Sequence, residues 1–137
     1  MKKDIDIPKV KDVAIAVVKE LNDEKTHDVY NVYLINLKDV DLDNIMITSK
    51  GYGTHKTTGA DIKTSILRHS LGTLKAKSFT KIEPIMTDVF GLNNEYWLSY
   101  FEGNKMHDKK YIFLPETIVD DNFVNIPLIN KKGVLIV

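Results

Sequence analysis

Apolar and polar positions along the chain alternate in short runs separated by turn-forming residues. Val13 to Val18 (VAIAVV) sets Val13, Ile15 and Val17 on one face and the small Ala14 and Ala16 on the other. The same stretch also fits a helical stripe of Val10, Val13, Val17 and Leu21, so periodicity alone leaves both readings open. The density of β-branched residues, and the plainly β-like segments after it, favour a strand. Val29 to Asn36 (VYNVYLIN) is the clearest strand, crowded with β-branched and aromatic residues and preceded by the polar run Asn22 to Asp28. Leu37 to Asn44 reads as a turn and Ile45 to Ser49 as the return strand. Lys50 to Asp61 (KGYGTHKTTGAD), with its glycines and threonines, reads as a long flexible loop. Ile62 to Ser70 predicts a weaker strand. Ser78 to Met86 predicts another, with Pro84 suited to a sheet edge. Glu95 to Phe101 and Lys109 to Leu114 flank Glu102 to Asp108, where Gly103 and Asn104 can take positive φ, so this pair predicts a hairpin. Gly133 to Val137 (GVLIV) can add a last strand.

Seven or so short strands with turns between them predict an all-β, antiparallel two-sheet sandwich, immunoglobulin-like in layout, as one domain over residues 1–137. Val32, Leu34, Ile45, Ile47, Leu98 and Ile112 lie mid-strand and are the expected core. A length of 137 residues with 43% apolar content suffices for one core without metal or disulfide. The chain carries 19 basic and 19 acidic residues, and Arg68 is its only arginine. There is therefore no net field to concentrate polyanions, and little of the bidentate chemistry that reads phosphates and bases. The absence of cysteine removes disulfides, thiol nucleophiles and thiolate metal sites. Met1 to Val10 has its charges spread through it, and no stretch reaches the roughly 20 apolar residues of a membrane span, so a cytoplasmic protein is expected.

Three patterns invite chemistry. Asp39, Asp41 and Asp43 alternate as at the start of a calcium loop, yet Asn44 and Lys50 stand where that loop needs glycine and glutamate, which predicts a solvated turn. Gly51, Gly53 and Gly59 suggest a phosphate cradle, but no helix pattern comes after them and the lysine and hydroxyl of a nucleotide loop are missing. His55 within this run reads as an exposed loop residue. Arg68 and His69 are adjacent and face opposite ways on a strand. Arg68 can contact an anionic ligand or form an ion pair with Glu83 or Glu95. No catalytic, cofactor or metal set converges, so no cofactor is expected.

The segments VYLINLKDVDLDNIMITSKGYG, AKSFTKIEPI and LNNEYWLSYFEGNKMHDKKYIF together resemble a family of short uncharacterised bacterial proteins. Some of its members are labelled as related to the phenylalanyl-tRNA synthetase alpha subunit. The resemblance covers nearly the whole chain and implies an accessory role in translation. It brings no catalytic motif, and a synthetase core needs more arginines than Arg68 alone supplies.

Two strands are apolar on both faces. In EYWLSYF, Tyr96, Leu98 and Tyr100 oppose Trp97 and Phe101; in VYNVYLI, Tyr30, Val32 and Leu34 oppose Tyr33 and Ile35. One face of each can enter the core, and the other needs cover from the chain's own tails and loops or from another molecule. This predicts a non-catalytic binding or assembly module whose partner surface includes Tyr33, Trp97 and Phe101. The partner expected is a second copy or another protein, not a membrane. Two further readings stand beside it. One is an RNA-associated factor, with Tyr33, Trp97 and Phe101 stacking bases beside Lys109 and Lys110. The other is a small-molecule enzyme using Arg68, His69 and Glu83.

Overall fold

A computed structural model describes residues 9–137. In chain order its strands are β1 (Val13–Leu21), β2 (Asp28–Asn36), β3 (Leu42–Thr54), β4 (Asp61–Lys63), β5 (Leu67–Leu74), β6 (Ser78–Ile85), β7 (Asn93–Glu102), β8 (Lys105–Phe113), β9 (Val124–Asn125) and β10 (Lys132–Ile136). Every pairing is antiparallel. The first sheet runs β6-β2-β1-β10-β9 and the second β4-β3-β7-β8, with β5 also paired to β3. The two pack as a β-sandwich, as the alternation predicts. No helix among the described residues is long and apolar enough to cross a membrane.

The core forms where inward positions of the two sheets meet. Val13, Ile15, Val17, Val32 and Leu34 from the first sheet pack against Ile45, Ile47, Tyr96, Leu98, Tyr100 and Tyr111 from the second. Ile112 does not belong to this layer. It lies one residue out of phase with the buried Tyr111 and Phe113, and so faces outward, half-buried.

A second apolar cluster covers the outer face of the first sheet. Ala14, Ala16, Val18, Tyr33 and Ile35 are sealed there by Ile126, with Leu37, Ile129 and Leu135 packed around them. β1 is therefore buried on both faces, which is why VAIAVV lacks polar alternation. The covering strap is the segment between β9 and β10, which carries Ile126 and Ile129, and it is tied down by Glu20 through Lys131. That carboxylate accepts hydrogen bonds from Asn31 Nδ2, Tyr33 OH and Lys131 Nζ, each at 2.7 Å.

Several segment boundaries differ from the sequence reading, β3 for instance starting at Leu42 inside the expected turn, and three differences bear on the sites. Lys50 to Thr54 continues β3 and is not loop; only the stretch beyond Thr54 turns. Its glycines serve close packing here: a Cβ on Gly53 would stand 3.2 Å from Leu92 Cδ2. The turn is held by His55, which is exposed and whose Nδ1 accepts from the amides of Thr57 and Thr58. The expected strand Ile62 to Ser70 is broken into β4 and β5. At the break Gly51 N–H donates to Thr64 Oγ1, and Thr64 N–H donates to Gly51 O, so a side chain replaces one rung of the ladder. Finally, the hairpin turn is shorter than Glu102 to Asp108. Glu102 pairs with Lys105, leaving Gly103 and Asn104 as the turn, with Gly103 at φ +62°.

Candidate functional site

Among the described residues nothing covers the outer face of the second sheet. Strand register sets Arg68, Thr48, Trp97 and Lys110 side by side in one row across β5, β3, β7 and β8. Trp97 is 47% exposed, and Lys110 Nζ lies 4.9 Å from its ring centroid, within cation–π range. The neighbouring row holds Ser70, Met46, Ser99 and Asp108, and the next holds Phe101 beside Met106. Met46 and Met106 are exposed and Phe101 is half-buried, so an apolar stripe runs obliquely over the face.

Charge divides along that stripe. Lys50, Arg68 and Lys110 crowd one end, while Asp43 and Asp108 occupy the other. Glu95 sits among the cations at 6% exposure, 3.8 Å from Lys50 Nζ and 4.0 Å from Lys110 Nζ, and it accepts from Tyr52 OH at 3.3 Å. Loss of solvent and the Glu95 charge together push the Tyr52 hydroxyl above the ordinary tyrosine range.

Of the residues expected on one partner surface, Trp97 and Phe101 do share this face. Tyr33 does not. It lies under the strap on the outer face of the first sheet, its hydroxyl bound to Glu20 and its ring edge-on to Phe79 at 5.8 Å. Burial, with Glu20 beside it, raises the Tyr33 hydroxyl well above its usual range. Sequence alternation gives Tyr33 its outward direction but carries no signal that a distant strap covers it. Met46 and Met106 were not anticipated, although the parity of IMITS places Met46 opposite to Ile45 and Ile47.

Arg68 is exposed on the open face, and His69 points the other way, into the space between the sheets. Glu83 meets His69, not Arg68. Its Oε1 accepts from His69 Nε2 at 2.7 Å and from Ser49 Oγ at 2.9 Å, and its Oε2 accepts from Tyr96 OH at 3.0 Å. Burial and the carboxylate hold the Tyr96 hydroxyl far above the ordinary range. Glu83 reaches this position through a β-bulge. Val32 pairs with Glu83 and Tyr33 with Lys81, which leaves Ile82 unpaired and turns both Ile82 and Glu83 toward the interior. The cluster borders a cleft of about 340 Å³ between β6 and the β4–β5 break. Ser49 and Tyr96 could not have been matched to Glu83 by spacing, because the bulge that aligns them has no sequence signature.

The aspartate triplet does not assemble. Asp39 approaches Lys77, Asp41 accepts from the Ala76 amide and approaches Lys75, and Asp43 accepts from Thr73. Among the described residues no group of three or more acidic, histidine or cysteine side chains could hold a metal ion.

No family model, curated protein or solved structure matches the chain.

Proposed function

We propose that the protein is a binding or assembly module without chemistry of its own, acting through the outer face of the second sheet, and that the partner is a second copy of the chain. The supporting observation is an asymmetry between the two outer faces. One is sealed by the chain's own strap, whereas the other presents Trp97, Met46, Met106 and part of Phe101 to solvent. The charge pattern suits a self-complementary contact. A two-fold axis lying in the face and across the strands, between the Trp97 and Ser99 rows, sets Lys110 and Lys50 of one copy over Asp108 and Asp43 of the other. The apolar stripes then meet between them.

Trp97 is the only tryptophan, so its fluorescence reports directly on this face. Light scattering should show a dimer, and dilution should red-shift the Trp97 emission as the ring returns to water. Trp97→Asp should give a folded monomer with a stability change within about 1 kcal/mol, because a charge is tolerated on a solvated face and costly in a dry interface. A wild-type protein that stays monomeric with concentration-independent emission overturns the reading.

The row Arg68–Thr48–Trp97–Lys110 also favours a second reading, an RNA-associated accessory factor, since an aromatic ring flanked by cations is a stacking platform for single strands. Tyr33 takes no part in it. Quenching of Trp97 by a short single-stranded RNA, relieved by salt, would support this reading over self-association.

A further inference from the structure

Two breaks in sheet regularity converge on one place. The bulge in β6 turns Glu83 inward, and the break between β4 and β5 opens the opposite wall, where Thr64 stays bonded to Gly51 but Ser65 leaves the β3 ladder. A bulge and a broken strand each forfeit ladder hydrogen bonds, and such features accompany sites at which a side chain is re-aimed. Between them lies the cleft of about 340 Å³, a volume suited to a small molecule.

The cleft's chemistry is that of a cation receptor. An ionised carboxylate offers about four acceptor positions. Among the described residues Glu83 uses three of them, for Ser49, His69 and Tyr96, and the remaining position belongs to Oε2. Its side chain is only 12% exposed, so what solvates it is protein. Ser49 and Tyr96 are neutral donors that stabilise the charge without cancelling it, and His69 cancels it only when both ring nitrogens carry a proton; beside a neutral His69, a carboxylate so enclosed gains from a counter-charge. Asp88 adds a second carboxylate on the cleft lining, while Lys50, also at its border, is engaged by Glu95 on the outer face. Leu67, Ile85 and Val89 give the wall an apolar stretch, beside the polar Thr64, Ser65 and Asn94.

We infer that this inter-sheet cleft binds a small organic cation, a primary ammonium with a short apolar tail. The ammonium occupies the free acceptor position of Glu83 and the tail lies along Leu67, Ile85 and Val89. His69, behind the carboxylate and outside the cleft lining, is a positioning residue that fixes its rotamer. This site is separate from the Trp97 face and does not depend on the reading given to that face.

The test is an amide NMR titration of the full chain with butylammonium, against butyrate and butanol of matching length. Butylammonium should give saturable shifts at Ser49, Gly51, Thr64 and Glu83, and the two controls should not. Glu83→Gln should weaken binding roughly ten- to a hundredfold, the range expected for loss of one charge-assisted hydrogen bond. If that variant fails to fold, Ser65→Trp decides. Ser65 is exposed at the rim, so an indole there obstructs the mouth without touching the core, and binding should be lost while the dispersion of the spectrum is kept. Equal shifts from butanol or butyrate, no shift at the cleft amides, or undiminished binding by the Ser65→Trp protein each overturns the inference.

Discussion

Gly133 sits where β10 enters the first sheet, paired with Val18 of β1 and Val124 of β9. A Cβ built on it lands on the carbonyl oxygen of Val17, which is main chain at the centre of a sheet and cannot step aside. Gly133→Ala is therefore expected to destabilise the protein by more than about 2 kcal/mol, as for overpacking against an immovable neighbour, measured by urea unfolding. A loss under half of that would mean that β10 can shift along β1. At this scale the sequence is partly legible. The directions of Trp97, Phe101, Arg68 and His69 follow from simple alternation within their strands. Glu83 does not, because one unpaired residue reverses parity beyond Ile82.

Among the elements, those with a strong period of two were readable and those defined by distant partners were not. VYNVYLIN and EYWLSYF announce β2 and β7. Lys50 to Thr54 announces a loop, because glycine in a sequence signals freedom until one knows that Leu92 lies over it. The strap is the extreme case: it forms almost no regular structure, and its role depends on apolar positions of β1 and β2 about a hundred residues earlier. Its anchor makes a pH-dependent prediction. Burial alone would raise the Glu20 carboxyl, but the hydrogen bonds from Lys131, Tyr33 and Asn31 outweigh it and hold the group below the usual carboxylate range. A pKa lowered by folding contributes stability that is present above the unfolded value, roughly pH 4, and is lost as pH falls through the folded value. Glu20→Gln should then be less stable than wild type near neutral pH by about 1 to 2 kcal/mol, with the gap closing below pH 4. A gap that stays constant in urea titrations across this range would show that the charge is not what anchors the strap.

For the whole molecule, the pairing of β10 with β1 matters most. Ile15 stands opposite Ile136 and Val17 opposite Val134, so β1 completes its hydrogen bonding only through β10. Contacts so far apart in sequence make folding slow compared with that of helical domains of similar size. During synthesis, β1 leaves the ribosome long before β10 exists, with one edge open and both apolar faces without their cover. Nascent chains stalled with residues 1–125 outside the exit tunnel should therefore be digested readily by a protease. Chains stalled with residue 137 outside should resist digestion. Resistance that set in at the shorter length would show that β1 and β2 settle without their partner. Through most of its own translation, then, this protein is a client for whatever shields bare strand edges, and it leaves that care only when β10 arrives.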